Sequence, residues 1–222
     1  MRIYPSLISS DLLNIKKTLS TLDSHCDGYH LDVMDDSFVP NLTWGADFIN
    51  AISQATQLPV HVHLMVHNPE KWISRLLIKK NDFFIFHYEA IEYELLNDLI
   101  QKINIHGWNI GIALNPSTPV EKIFDIFAKI DMVLLMSVQP GFSGQKFIPE
   151  TVKKIAPLIE MKKKKNSHFS IGMDGGINTE TFFLLNNQNI DSVAIASAIF
   201  NEPDAIIALK NLYISASPGI NS

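Results

Sequence analysis

Cysteine is almost missing from this chain. Cys26 is the only one among 222 residues, so no intrachain disulfide can form and no oxidising-compartment framework is written in it. Long apolar runs are missing too. Stretches such as 132–136 fall far short of a membrane span. The opening MRIYPSLISSD holds no apolar stretch long enough for a signal peptide. Excess positive charge is absent. A formal charge of -5 argues against a broad nucleic-acid-binding face, though not against a small phosphate pocket built from backbone N–H groups. The chain has no linker rich in Pro, Gly or Ser, no low-complexity tract and no repeat. These absences predict a cytoplasmic protein with one domain over 1–222 and a frayed tail at 215–222. With 46% hydrophobic residues there is apolar mass for a sizeable core, which argues against disorder.

What is present is a rhythm. Short apolar runs at 3–7, 29–34, 60–65, 83–87, 110–114, 132–138, 170–173 and 193–196 read as strands buried on both faces. Amphipathic stretches at 14–22, 46–54, 69–78, 92–103, 120–127, 149–164, 179–187 and 203–213 read as helices. Pro69 and Pro203 suit first helical turns, where a missing N–H costs nothing. Eight strands alternating strictly with eight helices is the pattern of an α/β protein of the (β/α)8 TIM-barrel type. A doubly wound sheet uses the same alternation, and counting alone does not separate the two.

In such a barrel the reacting groups sit at the C-terminal strand ends. The second strand brings His30 and Asp32, two apart and so on one face. The third brings His61 and His63, and the seventh ends at Asp174. His30, Asp32, His63 and Asp174 form a mixed nitrogen and oxygen set suited to Zn2+, Fe2+, Mn2+ or Co2+. Any one of them alone reads more simply as a satisfied polar core residue. Four unpaired polar groups at interior strand positions would be costly, which favours a shared ion. His61 lies deeper on its strand and reads as a core or supporting histidine. Met34, Met65 and Met136 fall at strand ends and would form an apolar wall around the mouth.

Two glycine turns follow strands six and seven, SVQPGFSGQ at 137–145 and DGG at 174–176. Beside Ala196 and Ser197 they suggest a phosphate cradle. Other features read blandly. The four lysines at 162–165 suit a solvated helix end. His25, His67, His106 and His168 fall in or near loops as surface residues. His87, in FIFHYEA at 84–90, points to the mouth or the core, and the sequence leaves that open.

The segments PSLISSD at 5–11, HLDVMD at 30–35, FVPNLT at 38–43, VHLMV at 62–66, ALNPSTP at 113–119, LLMSVQPGFSGQKFIP at 134–149, DGGI at 174–177 and SAIF at 197–200 stand in one order and spacing. Through them the chain resembles the ribulose-phosphate 3-epimerase family over nearly its whole length. The resemblance implies a (β/α)8 barrel, one divalent metal ion per subunit, a sugar-phosphate substrate and a homo-oligomer, dimer or hexamer. It implies metal ligands at His30, Asp32, His63 and Asp174, with Asp32 and Asp174 as the acid/base pair. It puts substrate contacts at Ser6 and His63, and the phosphate cradle at Gly141, Phe142, Ser143, Gly144, Gly175, Gly176, Ala196 and Ser197.

The chain departs from the family pattern in three places. Ala196 stands where glycine is usual, His61 where aspartate is frequent, and Asp36-Ser37 where Gly-His is common. Rival readings are a D-allulose-6-phosphate 3-epimerase and a non-catalytic sugar-phosphate-binding barrel. A decarboxylase of the same barrel group would carry an Asp-x-Lys-x-x-Asp run, but DVMDD at 32–36 has no lysine.

Overall fold

A computed structural model describes residues 1–216. Eight parallel strands form one sheet: β1 Arg2–Pro5, β2 Tyr29–Met34, β3 Val60–Met65, β4 Phe83–His87, β5 Asn109–Leu114, β6 Met132–Met136, β7 Ser170–Asp174 and β8 Ser192–Ile195. Their order runs β1-β8-β7-β6-β5-β4-β3-β2. One further parallel bridge, Ser6 to His30, brings β1 beside β2 and rounds the sheet into a barrel. The TIM-barrel expectation therefore holds, and the doubly wound alternative does not.

The pleat sorts each strand's residues between two cores. Outward residues such as Leu31, Val33, Val62 and Leu64 pack under the helices in the larger core. Inward residues Ile85, Ala113, Met132, Leu134 and Met136 fill the barrel itself. Parallel pairing sets Asp32 beside His63 and Met136 beside Asp174. The polar inward residues of β2, β3 and β7 thus reach the same end of the barrel.

The helices are α1 Ile15–Leu22, α2 Ala46–Ala55, α3 Glu70–Ile73, α4 Tyr93–His106, α5 Ile155–Lys164, α6 Phe182–Leu185, α7 Ser197–Phe200 and α8 Ala205–Ala216. Several are shorter than their periodicity predicts, for identifiable reasons. After α3, the N–H of Leu77 goes to Asn50 Oδ1 and that of Lys79 to Asp82 Oδ2. Side chains thereby capture N–H groups that a helix through residue 78 would use. Before α6, the N–H groups of Glu180 and Thr181 both go to Asn178 Oδ1, delaying the helix start. Val120–Lys129 is wound as a 3-10 helix. Its buried Val120, Ile123 and Ile126 recur every three residues, which suits three residues per turn.

Proline 203 lies before its helix rather than in the first turn. Asp204 caps α8 by accepting from Ile206 and Ile207. Residues 215 and 216 continue α8, and the rest of the tail expected to fray lies outside the described residues. No helix among the described residues is long and apolar enough to cross a membrane.

Candidate metal and substrate site

The site begins with the alternation of β2. His30 and Asp32 share a face because they are two apart, and in the barrel that face is the inner one. His63 enters from β3 and Asp174 from the last residue of β7. All four are buried. His30 Nε2 stands 3.1 Å from His63 Nδ1, 3.3 Å from Asp32 Oδ1 and 3.5 Å from Asp174 Oδ2. His63 Nδ1 stands 3.3 Å from Asp32 Oδ1 and 3.4 Å from Asp174 Oδ2. One donor atom from each residue falls within 4.8 Å of all the others.

These spacings fit a cation. Four N and O ligands held about 2.1 Å from an ion at tetrahedral angles would stand about 3.4 Å apart. The electrostatics agree. Burial alone would push the pKa of His30 down, yet the Asp32 and Asp174 carboxylates hold it at about 10. Burial likewise opposes charge on Asp32 and Asp174, but His30 outweighs it and both are held below the usual carboxylate range. The pocket thus favours positive charge at its centre. Ser6 Oγ donates to Asp32 Oδ2, which leaves Oδ1 turned toward the imidazoles.

Above this group opens a narrow cleft. Ser6, Asp32 and Asp174 line it, as do Met34, Met65 and Met136. Gly141, Phe142, Ser143, Gly144, Gly175, Gly176, Ala196 and Ser197 line it as well. His30 and His63 lie beneath the lining, fully buried. Every sequence-predicted site residue is therefore in the cleft or directly below it.

The turn after β7 needs glycine twice. Gly175 and Gly176 have φ of +110° and +65°, and a Cβ on Gly176 would stand 2.5 Å from Phe147 N. Ser137 fixes this turn by donating its hydroxyl to the carbonyls of Asp174 and Gly175. The loop after β6 is tied down too. Asn41 Nδ2 donates to Gly141 O at 2.8 Å, and the Ser9 and Ser143 hydroxyls meet at 3.1 Å.

His61 does not join the four. It stacks on Tyr4 with ring centroids 3.8 Å apart, and burial together with His30 pushes its pKa well down. It is a neutral core histidine beneath the site. His67, His106 and His168 are exposed, while His25 is half-buried. His106 ends α4, next to the loop that begins at Gly107, and stacks on Trp108.

The sequence left His87 undecided. The structure sets its Nε2 2.9 Å from His63 Nε2, and its Nδ1 3.2 Å from Glu89 Oε2. Glu89, Asn115 and Thr118, which form the rest of this cluster, were missed. The available signal was His-x-Glu at 87–89, which repeats the His-x-Asp spacing of 30–32.

Comparison with known proteins decides the lineage. The model of the ribulose-phosphate 3 epimerase family matches residues 2–200. The chain belongs to the ribulose-phosphate 3-epimerase family. A ribulose-phosphate 3-epimerase of Methanocaldococcus jannaschii is 36% identical over 222 residues, covering 100% of this chain and 93% of that protein. One from Bacillus subtilis is 35% identical over 214 residues, covering 96% of this chain and 98% of that protein. Among solved structures, KGPDC from Streptococcus mutans in complex with D-R5P superposes with a TM-score of 0.71 at 12% identity, covering 97% of this chain and 96% of that one. At that identity the likeness shows the fold alone.

Two departures from the family pattern acquire a structural meaning. Asp36 has φ of +56°, a left-handed conformation that glycine adopts freely and aspartate tolerates. Ala196 has φ of -105°, so its backbone accepts a side chain without that strain.

Proposed function

We propose that the protein interconverts D-ribulose 5-phosphate and D-xylulose 5-phosphate by moving a proton at carbon 3. The convergence of two carboxylates and two imidazoles beneath the cleft carries this reading, on a chain of the epimerase family. Epimerisation removes the carbon 3 proton from one face and returns a proton to the other. The carbanion is accessible because the adjacent ketone delocalises it as an enediolate. Asp32 and Asp174 come from strands three places apart around the barrel, so one carboxylate can serve each face of a substrate between them. In either direction one of the two must start ionised, as the base, and the other protonated, as the acid that returns a proton to carbon 3.

His30, Asp32, His63 and Asp174 would hold one divalent ion, Fe2+, Zn2+, Mn2+ or Co2+. When bound, it would act as a Lewis acid against the charge that develops on the substrate oxygens. Ser6 would contact the sugar, whereas His63, fully buried beneath the lining, would serve as a ligand of the ion rather than as the sugar contact the resemblance implies. Gly141, Phe142, Ser143, Gly144, Gly175, Gly176, Ala196 and Ser197 would cradle the phosphate and so fix the orientation of carbon 3. Met34, Met65 and Met136 would keep water from the reacting face. Cytoplasmic residence and a homo-oligomer, dimer or hexamer, belong to the same reading.

Turnover of D-ribulose 5-phosphate against D-allulose 6-phosphate tests the substrate. The pentulose should be preferred in kcat/KM. A preference for the hexulose would transfer the same chemistry to the longer sugar, and turnover of neither would leave a binding barrel.

A further inference from the structure

Behind the four-residue group runs a line of hydrogen-bonding atoms, His63 Nε2 to His87 Nε2 at 2.9 Å and His87 Nδ1 to Glu89 Oε2 at 3.2 Å. We infer that Glu89 and His87 are positioning residues that fix the tautomer of His63 and so aim its Nδ1 lone pair at the metal site. This rests on the reading of that group as a metal centre.

The direction follows from donor and acceptor rules. Glu89 Oε1 accepts the N–H of Asn115 at 2.8 Å and the hydroxyl of Thr118. Two fixed donors therefore hold the carboxylate, leaving Oε2 for His87. An ionised carboxylate only accepts, so His87 Nδ1 carries the hydrogen. The other nitrogen of a neutral imidazole is then an acceptor, which requires the hydrogen of His63 on Nε2. Only that tautomer leaves His63 Nδ1 free to ligate. Phe38 lies over His87 with ring centroids 4.9 Å apart, helping to wall the line off. His30 has no equivalent, because its buried Nδ1 has no protein partner. The two imidazoles of the centre are thus unequally supported, and His63 is the oriented one.

Glu89→Gln tests the polarity with almost no change of shape. Its amide oxygen can replace Oε1, which turns the NH2 toward His87. His87 Nδ1 must then accept, its Nε2 must donate, and the hydrogen of His63 is driven to Nδ1, where it blocks the metal. Zn2+ affinity, measured by competition with a chelating indicator at neutral pH, should fall on the order of 10–100-fold. Thr118→Val, which removes one of the two donors but keeps the carboxylate and the polarity of the line, should cost less than Glu89→Gln. His87→Gln preserves one acceptor and one donor and should bind Zn2+ more tightly than His87→Phe.

Nitrogen NMR of the metal-free wild type supplies a readout that needs neither turnover nor a variant. His63 should carry hydrogen on Nε2, and His87 on Nδ1 but not on Nε2. The His63 Nδ1 is not diagnostic without an ion, because it faces Asp32 Oδ1 and Asp174 Oδ2 at 3.3 and 3.4 Å. A His63 Nε2 without hydrogen in the wild type, or wild-type Zn2+ affinity in Glu89→Gln, overturns the inference. A wild type that binds no Zn2+, Fe2+, Mn2+ or Co2+ overturns the metal reading instead, while the tautomers still decide the polarity of the line.

Discussion

The two ends of the barrel both hold carboxylates in fixed places, and they treat them in opposite ways. At the N-terminal end each carboxylate meets backbone donors. Asp27, Asp82, Asp131 and Asp191 precede β2, β4, β6 and β8. They accept the N–H of Ile3, Val60, Ile110 and Ile171 from β1, β3, β5 and β7, at 2.8, 2.9, 2.8 and 2.7 Å. The pattern recurs every second strand and ties each odd strand to the loop before the next. At the C-terminal end, Asp32 and Asp174 instead face two imidazoles and, in part, each other. The first arrangement satisfies its polar groups within the chain. The second gathers two carboxylates and two imidazoles within reach of one another, a group that could hold a metal ion. Saturated carboxylates hold the fold together, and converging ones are arranged as a group that could hold a cation.

That contrast sets the order of expected effects. The largest belongs to the mouth. Asp32→Asn and Asp174→Asn should each lower turnover by at least about 10³-fold, as loss of an acid/base group that also ligates metal requires. Phosphate-ligand binding should survive in part. Near-wild-type rates in either variant would remove the two-carboxylate scheme. Chelation comes next. Metal-free protein should lose activity and regain it with Fe2+, Mn2+, Co2+ or Zn2+, and full activity in rigorously stripped protein would reject the Lewis-acid role.

The floor should respond in stability instead. Asp82 is fully buried and accepts from the Ser53 hydroxyl and from the N–H groups of Val60 and Lys79. Asp82→Ala strands those donors and should cost about 3 kcal/mol in urea unfolding, with kcat unchanged in the folded fraction. A large loss of kcat without loss of stability would erase the distinction between the two ends.

The smallest effect concerns Cys26, which precedes β2 at the floor. Burial pushes its thiol up to about 11, although a Gly28 backbone hydrogen bond opposes this. The thiolate is the reactive form, so at pH 8 alkylation should be on the order of 10²-fold slower than for a free cysteine. The rate should rise about tenfold per pH unit until the pH nears 11. Rapid labelling at pH 8 would show this floor loop opening far more readily than its packing implies.

Sequence reasoning reached the mouth because its signals are local. His-x-Asp and His-x-His on strands announce a shared face, and the paired glycines announce a turn with positive φ. Closure into a barrel did the rest by bringing β2, β3 and β7 to one end. The helices were less legible. Their apolar spacing was right, but Asn50 and Asn178 intercept N–H groups from outside the periodic pattern, and no periodicity registers that. The line from His63 to Glu89 stayed hidden for another reason. It depends on His87 pairing across β3 and β4, and on Asn115 and Thr118 arriving from the loop after β5. The His-x-Glu spacing inside FIFHYEA hints at a pair, but at neither of these partners.

Hydrogen at carbon 3 provides the most direct test of the proposed chemistry. Holoenzyme should be run with D-ribulose 5-phosphate in deuterated water, and the D-xylulose 5-phosphate followed by NMR from the first turnovers. With one carboxylate on each face, the product should carry solvent deuterium at carbon 3. Product formed at full rate with the substrate's own hydrogen still on that carbon would contradict proton exchange between two opposed bases.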